Sequence, residues 1–180
     1  CKGLHQGIIL DVQDIKTYNL DEIIPNINKE YPLFVILAHL EDPHNFGAII
    51  RSSEAFGVDA IIIPNDRSVD ITSTVVKTSV GTIEKMKIIK VSNINNAIEK
   101  LKKYGYWIVG TDMEGMTYTT IDYKTKIAIV IWNEWKGISD LVSKNCDYLA
   151  KIPMVGTVNS LNASVACGIF LAEISRSRGN

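Results

Sequence analysis

The sequence predicts an α/β fold with a mostly parallel sheet and helices on both of its faces. Short β-branched runs alternate with helical patterns along the chain, and this alternation is typical of parallel α/β domains. Several runs, such as IAIVI and LFVILA, are apolar throughout, as expected for strands that are covered on both faces. The length of 180 residues and the hydrophobic fraction of 46% suit one globular domain.

The elements follow from these patterns in chain order. Strands are predicted over 7–12, 33–38, 60–63, 87–91, 106–110, 126–131 and 148–152. Helices are predicted over 21–27, 46–56, 71–79, 94–104, 139–144 and 161–175. The helix at 94 is well delimited, because Asn93 is a suitable N-cap and Gly105 a suitable helix end. Residues 1–32 are interpreted as a lead-in strand and short helix, and residues 33–180 as the main domain.

Charge and cysteine content argue against several classes of protein. The formal net charge is −1, so any contact with nucleic acid needs a local basic patch or a further domain. No apolar run approaches the roughly 18 residues of a membrane span, and no signal peptide is evident, so we expect no membrane partner and a cytoplasmic location. Cys1, Cys146 and Cys167 form no CxxC pair, which disfavours disulfides and structural zinc and predicts a buried thiol at Cys167.

Two loops that follow predicted strands carry polar groups. In the first, residues 42–54, an Asp-Pro turn precedes Gly47 and a helix with Arg51 and Glu54 three residues apart. An exposed ion pair within the helix would explain the last two residues without any function. The second loop, residues 132–139, places one carboxylate among aromatic side chains. It is either a site or simply a strand that leaves the core.

A third loop, residues 152–164, runs through Pro and Gly into an apolar helix. Asn159, Ser160 and Asn162 could each cap that helix. Three polar groups exceed the need of one cap, so this is a candidate ligand site.

The phosphate-binding, metalloprotease and nucleophile-elbow motifs are absent, and His5, His39 and His44 have no metal-ligand spacing, so no metal is expected. The run of Lys100, Lys102 and Lys103 is more typical of a solvated helix face than of an RNA contact.

The three loops, in this order, resemble the motifs of the SpoU family of RNA ribose 2′-O-methyltransferases. DPHNFGAIIRSSEAFG resembles the first motif, NEWKGIS the second and IPMVGTVNSLNASVA the third. HQG and DPHNFG resemble the bacterial branch that methylates a guanosine of 23S ribosomal RNA. The resemblance implies a deep C-terminal trefoil knot, a rare exception among folds. It also implies a homodimer, and an N-terminal RNA-binding domain outside this sequence through which ribosomal RNA is bound.

The resemblance also implies the site residues and the cofactor S-adenosylmethionine. The implied active-site residues are Asn45, Arg51, Glu134, Ser160 and Asn162. The implied cofactor contacts are Thr111, Gly115, Ile131, Trp132, Gly137, Ile152, Met154, Ser160 and Leu161. Apolar Leu161, Val165, Ile169 and Ala172 would lie on one helix face, either in the dimer interface or in the core of the chain.

The family assigns proton removal from the ribose hydroxyl to the arginine, here Arg51. Because free arginine is a poor base at neutral pH, we favour a clamp on the substrate phosphate and the developing alkoxide. Base action by Arg51 is the alternative, and Asn45, Ser160 and Asn162 would orient the reacting groups.

The second motif departs from the family, because Trp132 and Trp135 stand where the family has glycine. Glycine allows a close approach of backbone to ligand, whereas an indole adds a large rigid body. Two identical changes within four positions suggest a deliberately blocked cofactor pocket; natural loss of activity and a remodelled pocket are the alternatives. The function alternative is therefore a non-catalytic dimerisation or RNA-docking module. A third interpretation, a nucleotide-dependent oxidoreductase, is disfavoured because the sequence lacks the glycine-rich motif of that class.

Overall fold

A computed structural model describes residues 16–39, 42–65, 73–132, 140–158 and 160–180. The strands are β1 (Thr17–Tyr18), β2 (Leu33–His39), β3 (Ala60–Pro64), β4 (Ile88–Val91), β5 (Trp107–Thr117), β6 (Ile127–Trp132) and β7 (Tyr148–Lys151). The α-helices are α1 (Leu20–Ile23), α2 (Pro43–Ala55), α3 (Ser73–Ser79), α4 (Ile94–Lys103), α5 (Asp140–Asn145) and α6 (Ala163–Arg178). Short 3-10 helices occupy Ile24–Asn26, Thr82–Glu84 and Tyr118–Thr120.

The described strands form one parallel sheet in the order β1-β4-β3-β2-β6-β5-β7. Every strand pairing in it is parallel, so the predicted α/β fold with a parallel sheet is confirmed. The predicted strand over 7–12 lies outside the described residues. None of the helices in the described ranges has the length and the apolar run needed to cross a bilayer.

Alternate residues of the central strands enter two separate cores. Val35 of β2 and Ile129 of β6 lie in the first core, which α2, α3 and α6 cover. Phe34 and Ala128, their neighbours in the chain, lie in the second core under α1, α4 and α5. Both faces of the sheet are therefore buried, which explains why the strands are apolar throughout instead of alternating between apolar and polar residues.

Most elements differ in extent from the predicted ranges, and α2, for example, begins at Pro43 and not at residue 46. Three of the differences have a specific physical reason. The predicted helix over 21–27 is α1 followed by a 3-10 turn, because Pro25 lacks the amide hydrogen that a continuing α-helix needs. β5 runs seven residues past the predicted end at Gly110, because it pairs a second time with β7. α6 begins at Ala163, since Asn162 caps it. Leu161 therefore lies before the helix, and its predicted place on one helix face with Val165 is wrong.

The lead-in before β2 contributes to the second core. β1 pairs with β4 at the edge of the sheet, and Leu20, Ile23 and Ile24 are buried against α4 and the sheet. Residues 17–26 therefore pack as part of the α/β unit.

The C-terminal end of α6 is fastened to the opposite end of the sheet from its start. Arg178 donates hydrogen bonds to the carbonyl oxygens of Tyr31 (2.8 Å), Tyr123 (3.0 Å) and Thr125 (3.0 Å). These carbonyls precede β2 and β6, so α6 runs from the carboxyl edge of the sheet, after β7, to its amino edge.

Candidate functional site

The order of the strands places a crevice between β2 and β6. After β2 the chain enters α2 on the face of the first core, whereas after β6 it reaches α5 on the face of the second core. Adjacent strands whose connections leave on opposite faces open a crevice at their carboxyl ends, and ligands of open α/β sheets bind there. Two of the loops that the sequence singled out leave this edge, one after β2 and one after β7; the loop after β6, residues 133–139, lies outside the described residues.

α2 begins at this edge with a well-formed cap. The Asp42 carboxylate accepts a hydrogen bond from the backbone N–H of His44 (3.0 Å), and Pro43 occupies the first turn. Asn45 in the same turn is half-buried, and Arg51 is exposed two turns later. Six residues of helix separate them by about 9 Å along the axis and about 120° around it. The structure therefore places Asn45 and Arg51 on different sides of α2.

The simple ion-pair explanation for Arg51 is wrong for the described part of the chain. No ion pair joins Arg51 to Glu54 there, although the two are one turn apart. The guanidinium remains available at the surface of α2.

Gly47 lets another segment approach the backbone of α2 closely. A Cβ at Gly47 would lie 2.5 Å from Thr78 Cβ and 3.0 Å from the carbonyl oxygen of Val75. No side chain fits in that space. α3 therefore rests directly on the face of α2 that carries Gly47 and, one turn later, Arg51.

The third loop ends at the N-terminus of α6, which packs beside α2. Of the three predicted capping residues, Asn162 is the cap: its Oδ1 accepts hydrogen bonds from the Ser164 N–H (2.9 Å) and the Ser164 hydroxyl (2.6 Å). Its side-chain amide keeps two donors for other partners. Ser160 is exposed at the same edge, and Asn159 lies outside the described residues.

β5 and β7 form the far side of this edge. Ala150 of β7 pairs with Thr111 and again with Met116, so the residues between them are extra to the pairing. A Cβ on Gly115 would lie 2.4 Å from the carbonyl carbon and oxygen of Leu149. A side chain in a strand pair points away from the neighbouring backbone, so the chain crosses over the backbone of β7 at Gly115.

Beyond β7, the third loop exposes apolar groups. Val155 and Val158 are 107% and 62% exposed, and Met154 and Ile152 are half-buried. Across from them Met113 of β5 is 57% exposed. Apolar side chains beside free backbone amides and carbonyls suit an aromatic heterocycle with polar edges.

Trp132 ends β6 and packs against the second core, whereas Ile131 is buried in the first core. The indole Nε1 of Trp132 is buried and has no hydrogen-bond acceptor among the described residues. The indole is thus on the α5 side of the sheet, away from the face where α2 and α6 begin. Glu134, Trp135 and Gly137 lie outside the described residues.

Neither of the described cysteines is a reactive thiol. Burial raises the pKa of Cys146 to about 12 and that of Cys167 likewise to about 12, and the Cys146 thiol donates to the Val142 carbonyl oxygen.

The described ranges contain no group of three or more His, Cys, Asp or Glu side chains placed to share a metal ion. In the lysine run of α4, Lys100 pairs with Asp21 and Lys102 with Asp147, as expected of a solvated face.

The described geometry thus puts Asn45, Ser160 and Asn162 at the carboxyl edge, where α2 and α6 begin, with Thr111 and Gly115 in β5 of the same sheet. Arg51 lies further along α2, on a different side of that helix from Asn45. The fold and this site define an α/β protein whose ligand site is built by loops at the carboxyl ends of β2, β5, β6 and β7.

Comparison with known proteins gives the family. Residues 32–172 match the SpoU rRNA Methylase family. A protein of Staphylococcus epidermidis assigned to the TrmH family of tRNA/rRNA methyltransferases is 45% identical over 177 residues, which are 97% of this chain and 71% of that protein. The chain therefore belongs to the SpoU rRNA methylase family.

Two solved structures show the same fold. An AdoMet-bound rRNA methyltransferase from Sinorhizobium meliloti superposes with a TM-score of 0.82 at 30% identity, covering 89% of this chain and 61% of that one. A structure described as an RNA 2′-O ribose methyltransferase has a TM-score of 0.76 at 26% identity, covering 84% of this chain and 58% of that one. This chain spans about three fifths of each of those proteins.

Proposed function

We propose that this chain is the catalytic domain of an enzyme that transfers a methyl group from S-adenosylmethionine to a ribose 2′-hydroxyl of ribosomal RNA. The observation that carries the proposal is that α2 and α6, which pack together, both begin at the carboxyl edge of the sheet, where Asn45, Ser160 and Asn162 stand. The resemblance to the family motifs implies these residues as active-site positions, and residues 32–172 match that family. We further propose a cytoplasmic enzyme that acts, as the HQG and DPHNFG segments indicate, on a guanosine of 23S ribosomal RNA.

The described residues fit the cofactor. Val155, Val158 and Met113 offer apolar surface on both sides of the β5–β7 edge, and Gly156 has open space around it, so a ligand can approach its backbone. Thr111, Gly115, Ile131, Ile152, Met154, Ser160 and Leu161 would hold it, together with Gly137. S-adenosylmethionine supplies the methyl group that moves to the ribose oxygen.

Each polar residue then has a positioning or electrostatic task. Asn162 keeps its side-chain amide free to donate, because only its Oδ1 is used by the cap, and Ser160 offers an exposed hydroxyl. Asn45 and Glu134 complete the set that orients ribose and cofactor. The Arg51 guanidinium is the cation proposed to hold the substrate phosphate and the developing alkoxide. The geometry chiefly lowers the entropy cost of aligning donor and acceptor.

Substitution of Arg51 tests the catalytic assignment. In an assay of tritiated methyl transfer to ribosomal RNA, loss of a charge that stabilises the transition state lowers the rate by about 10²–10³-fold. We expect this for Arg51→Ala, and a smaller loss for Arg51→Lys, which keeps the charge but not the planar fork. Lys103→Ala, an exposed lysine on the opposite side of the sheet, is the matched control. The assay is made in the Trp132→Gly/Trp135→Gly variant described below, and equal transfer rates of that variant with and without Arg51→Ala would refute the role.

The two indoles of the second motif are proposed to weaken cofactor binding. Titration calorimetry of S-adenosylmethionine into this chain and into a Trp132→Gly/Trp135→Gly variant measures the effect, and the glycine variant then serves for the methyl-transfer assay. Because Trp132 packs into the second core, the single variants separate its contribution from that of Trp135. Binding by the double variant alone supports the proposal, and equal binding by both chains contradicts the blockade. No binding by either, with RNA binding retained, favours the non-catalytic RNA-docking module.

A homodimer is also proposed, with α6 in its interface. Val165 is 50% exposed, Ala172 is exposed, and Ile169 between them is half-buried on the same face. Gly168 has open space where a Cβ would stand, so a second helix can approach closely. Val165→Arg should convert the dimer to a monomer in light scattering. Leu141→Arg, at an exposed apolar residue of α5, should leave the dimer intact.

The crossing of the chain over β7 at Gly115 supports a trefoil knot in the C-terminal part, which the resemblance implies. In this proposal the segment between β5 and β6 forms a loop, and β7 passes through it on the way to α6. Mechanical unfolding from the termini would test it, because a knotted chain ends at a shorter contour length than an unknotted one.

A further inference from the structure

The turn between α3 and the 3-10 helix Thr82–Glu84 is strained where no packing requires it. Val80 has φ 54°, and among the described residues it is the one non-glycine with a positive φ. A β-branched side chain disfavours this left-handed conformation, which glycine or asparagine adopts at low cost. Gly81, with φ 76°, shows that glycine is used at the next position of the same turn.

The strain at Val80 is not offset by burial. The Val80 side chain is 65% exposed, so the fold obtains no apolar contact in return. Two hydrogen bonds close the turn. The Thr82 hydroxyl donates to the Ser79 carbonyl oxygen (2.6 Å), and the Val80 N–H donates to the Lys77 carbonyl oxygen (3.2 Å). Strained, exposed residues that the surrounding structure holds in place are concentrated at functional sites.

This turn is held beside the helix that carries Arg51. α3 rests on α2 at Gly47, where Ser79 N would be 3.1 Å from an added Cβ. The 3-10 helix Thr82–Glu84 then continues along α2. Since Arg51 lies one turn beyond Gly47 on nearly the same face of α2, the turn and the guanidinium belong to one surface.

This surface, residues 77–85 with Arg51, carries three cations against the one exposed carboxylate of Glu84, and this excess of positive charge favours a polyanion. Arg51, Lys77 and Lys85 are all exposed, and none forms an ion pair with another described residue. Unpaired cations around an exposed apolar group match phosphates that flank a base or a ribose.

We propose that residues 77–85, together with Arg51, form a docking surface for the RNA strand beside the methylated ribose. Lys77 and Lys85 contact phosphates, and Val80 packs against a base or sugar. The inference rests on the proposed function, because it takes RNA as the substrate.

Binding of a short fluorescein-labelled RNA hairpin, followed by fluorescence anisotropy at several salt concentrations, tests this surface. Each phosphate contact contributes about 0.7 to the slope of log affinity against log salt for single-stranded RNA. We expect Lys77→Ala and Lys85→Ala each to lower the slope by about that amount, and Lys103→Ala, an exposed lysine of α4, to leave it unchanged. A purely structural role of the lysines would not alter the slope.

The variant Val80→Gly distinguishes the effect of the strained turn on stability from its effect on RNA binding. Because glycine relieves the strain, the thermal unfolding midpoint should rise, while affinity for the hairpin falls by about fivefold. Unchanged affinity in Val80→Gly, unchanged slopes in both lysine variants, or no binding of the hairpin by the unmodified chain would each overturn the proposal.

Methyl transfer by the Trp132→Gly/Trp135→Gly variant distinguishes this proposal from the proposed function. Transfer that depends on Arg51, with normal salt slopes in the lysine variants, overturns the docking surface alone. Altered slopes without any transfer to RNA support the docking surface and contradict the enzymatic function.

Discussion

Replacing Arg178 by alanine should destabilise the whole domain, because this residue fastens α6 to two other segments. Its guanidinium donates to three backbone carbonyl oxygens at 2.8–3.0 Å and lies over the ring of Tyr31, 5.8 Å from its centroid. Carbonyls before β2 and β6 thereby share one cation at the end of the chain.

The size of the effect follows from these contacts. Hydrogen bonds to charged groups contribute about 1.5–3 kcal/mol each. Burial lowers the pKa of Arg178 from its ordinary value, which reflects the cost of desolvating the cation and offsets part of that gain. We therefore expect Arg178→Ala to lower the free energy of unfolding by about 3 kcal/mol and the melting temperature by about 6–12 °C.

Urea unfolding followed by circular dichroism measures this loss directly. Arg178→Lys is the informative companion variant, because one ammonium cannot reach three carbonyls in the geometry of the guanidinium fork, and it should recover less than half of the loss. Lys124→Ala, at an exposed residue close in sequence to Tyr123 and Thr125, should change stability by less than about 0.5 kcal/mol. A loss below about 1 kcal/mol in Arg178→Ala would show that the three bonds add nothing beyond hydration.

Three further outcomes follow from the described contacts. Gly115→Ala should destabilise the fold in urea titrations and, in the Trp132→Gly/Trp135→Gly variant, abolish cofactor binding in calorimetry, since its Cβ would overlap the Leu149 carbonyl; a stable, binding-competent variant would exclude the close crossing. In a Cys1→Ser background, Cys146 should react with Ellman's reagent at pH 8 roughly a thousandfold more slowly than a free thiol, because burial raises its pKa to about 12; rapid labelling of the native protein would contradict this. Hydrogen bonds from Arg176 lower the pKa of Glu173, so the ionised carboxylate stabilises the fold above its ordinary pKa and this stabilisation is lost as the pH falls. Glu173→Gln should therefore reduce the difference between urea midpoints at pH 7 and about pH 4, and an unchanged difference would argue against the contribution.

The parallel sheet could be predicted from the sequence because its strands are buried on both faces. Runs such as IAIVI leave no polar face, and one structural class explains that pattern. The caps Asn93 and Asn162 were also within reach, since each is an amide side chain before a helical pattern, and both accept hydrogen bonds from helix amides.

The contacts between distant segments could not be predicted. A glycine in the turn at Gly47 suggests a close backbone approach, and the resemblance implies a cofactor contact at Gly115, but the segments that pack against them, α3 and β7, are visible only in the structure. Arg178 reads as a basic residue at a helix end, whereas its partners lie 53 to 147 residues away. The split of Asn45 and Arg51 between two sides of α2 could have been found from the helical period alone. The family motif joins them in one linear segment and hides that separation.

The two cores have a consequence for how such a protein can change over time. The helices that present Asn45 and Asn162 are anchored in the first core, whereas α5, which follows the second motif, is anchored in the second. The sheet separates these cores, so a repacking beneath α4 and α5 need not disturb α2 or α6. Substitutions in one core can therefore retune the loop after β6 while the side chains on the other face keep their geometry. Neutral substitutions can therefore accumulate in one core while the residues that the other core positions change independently under selection.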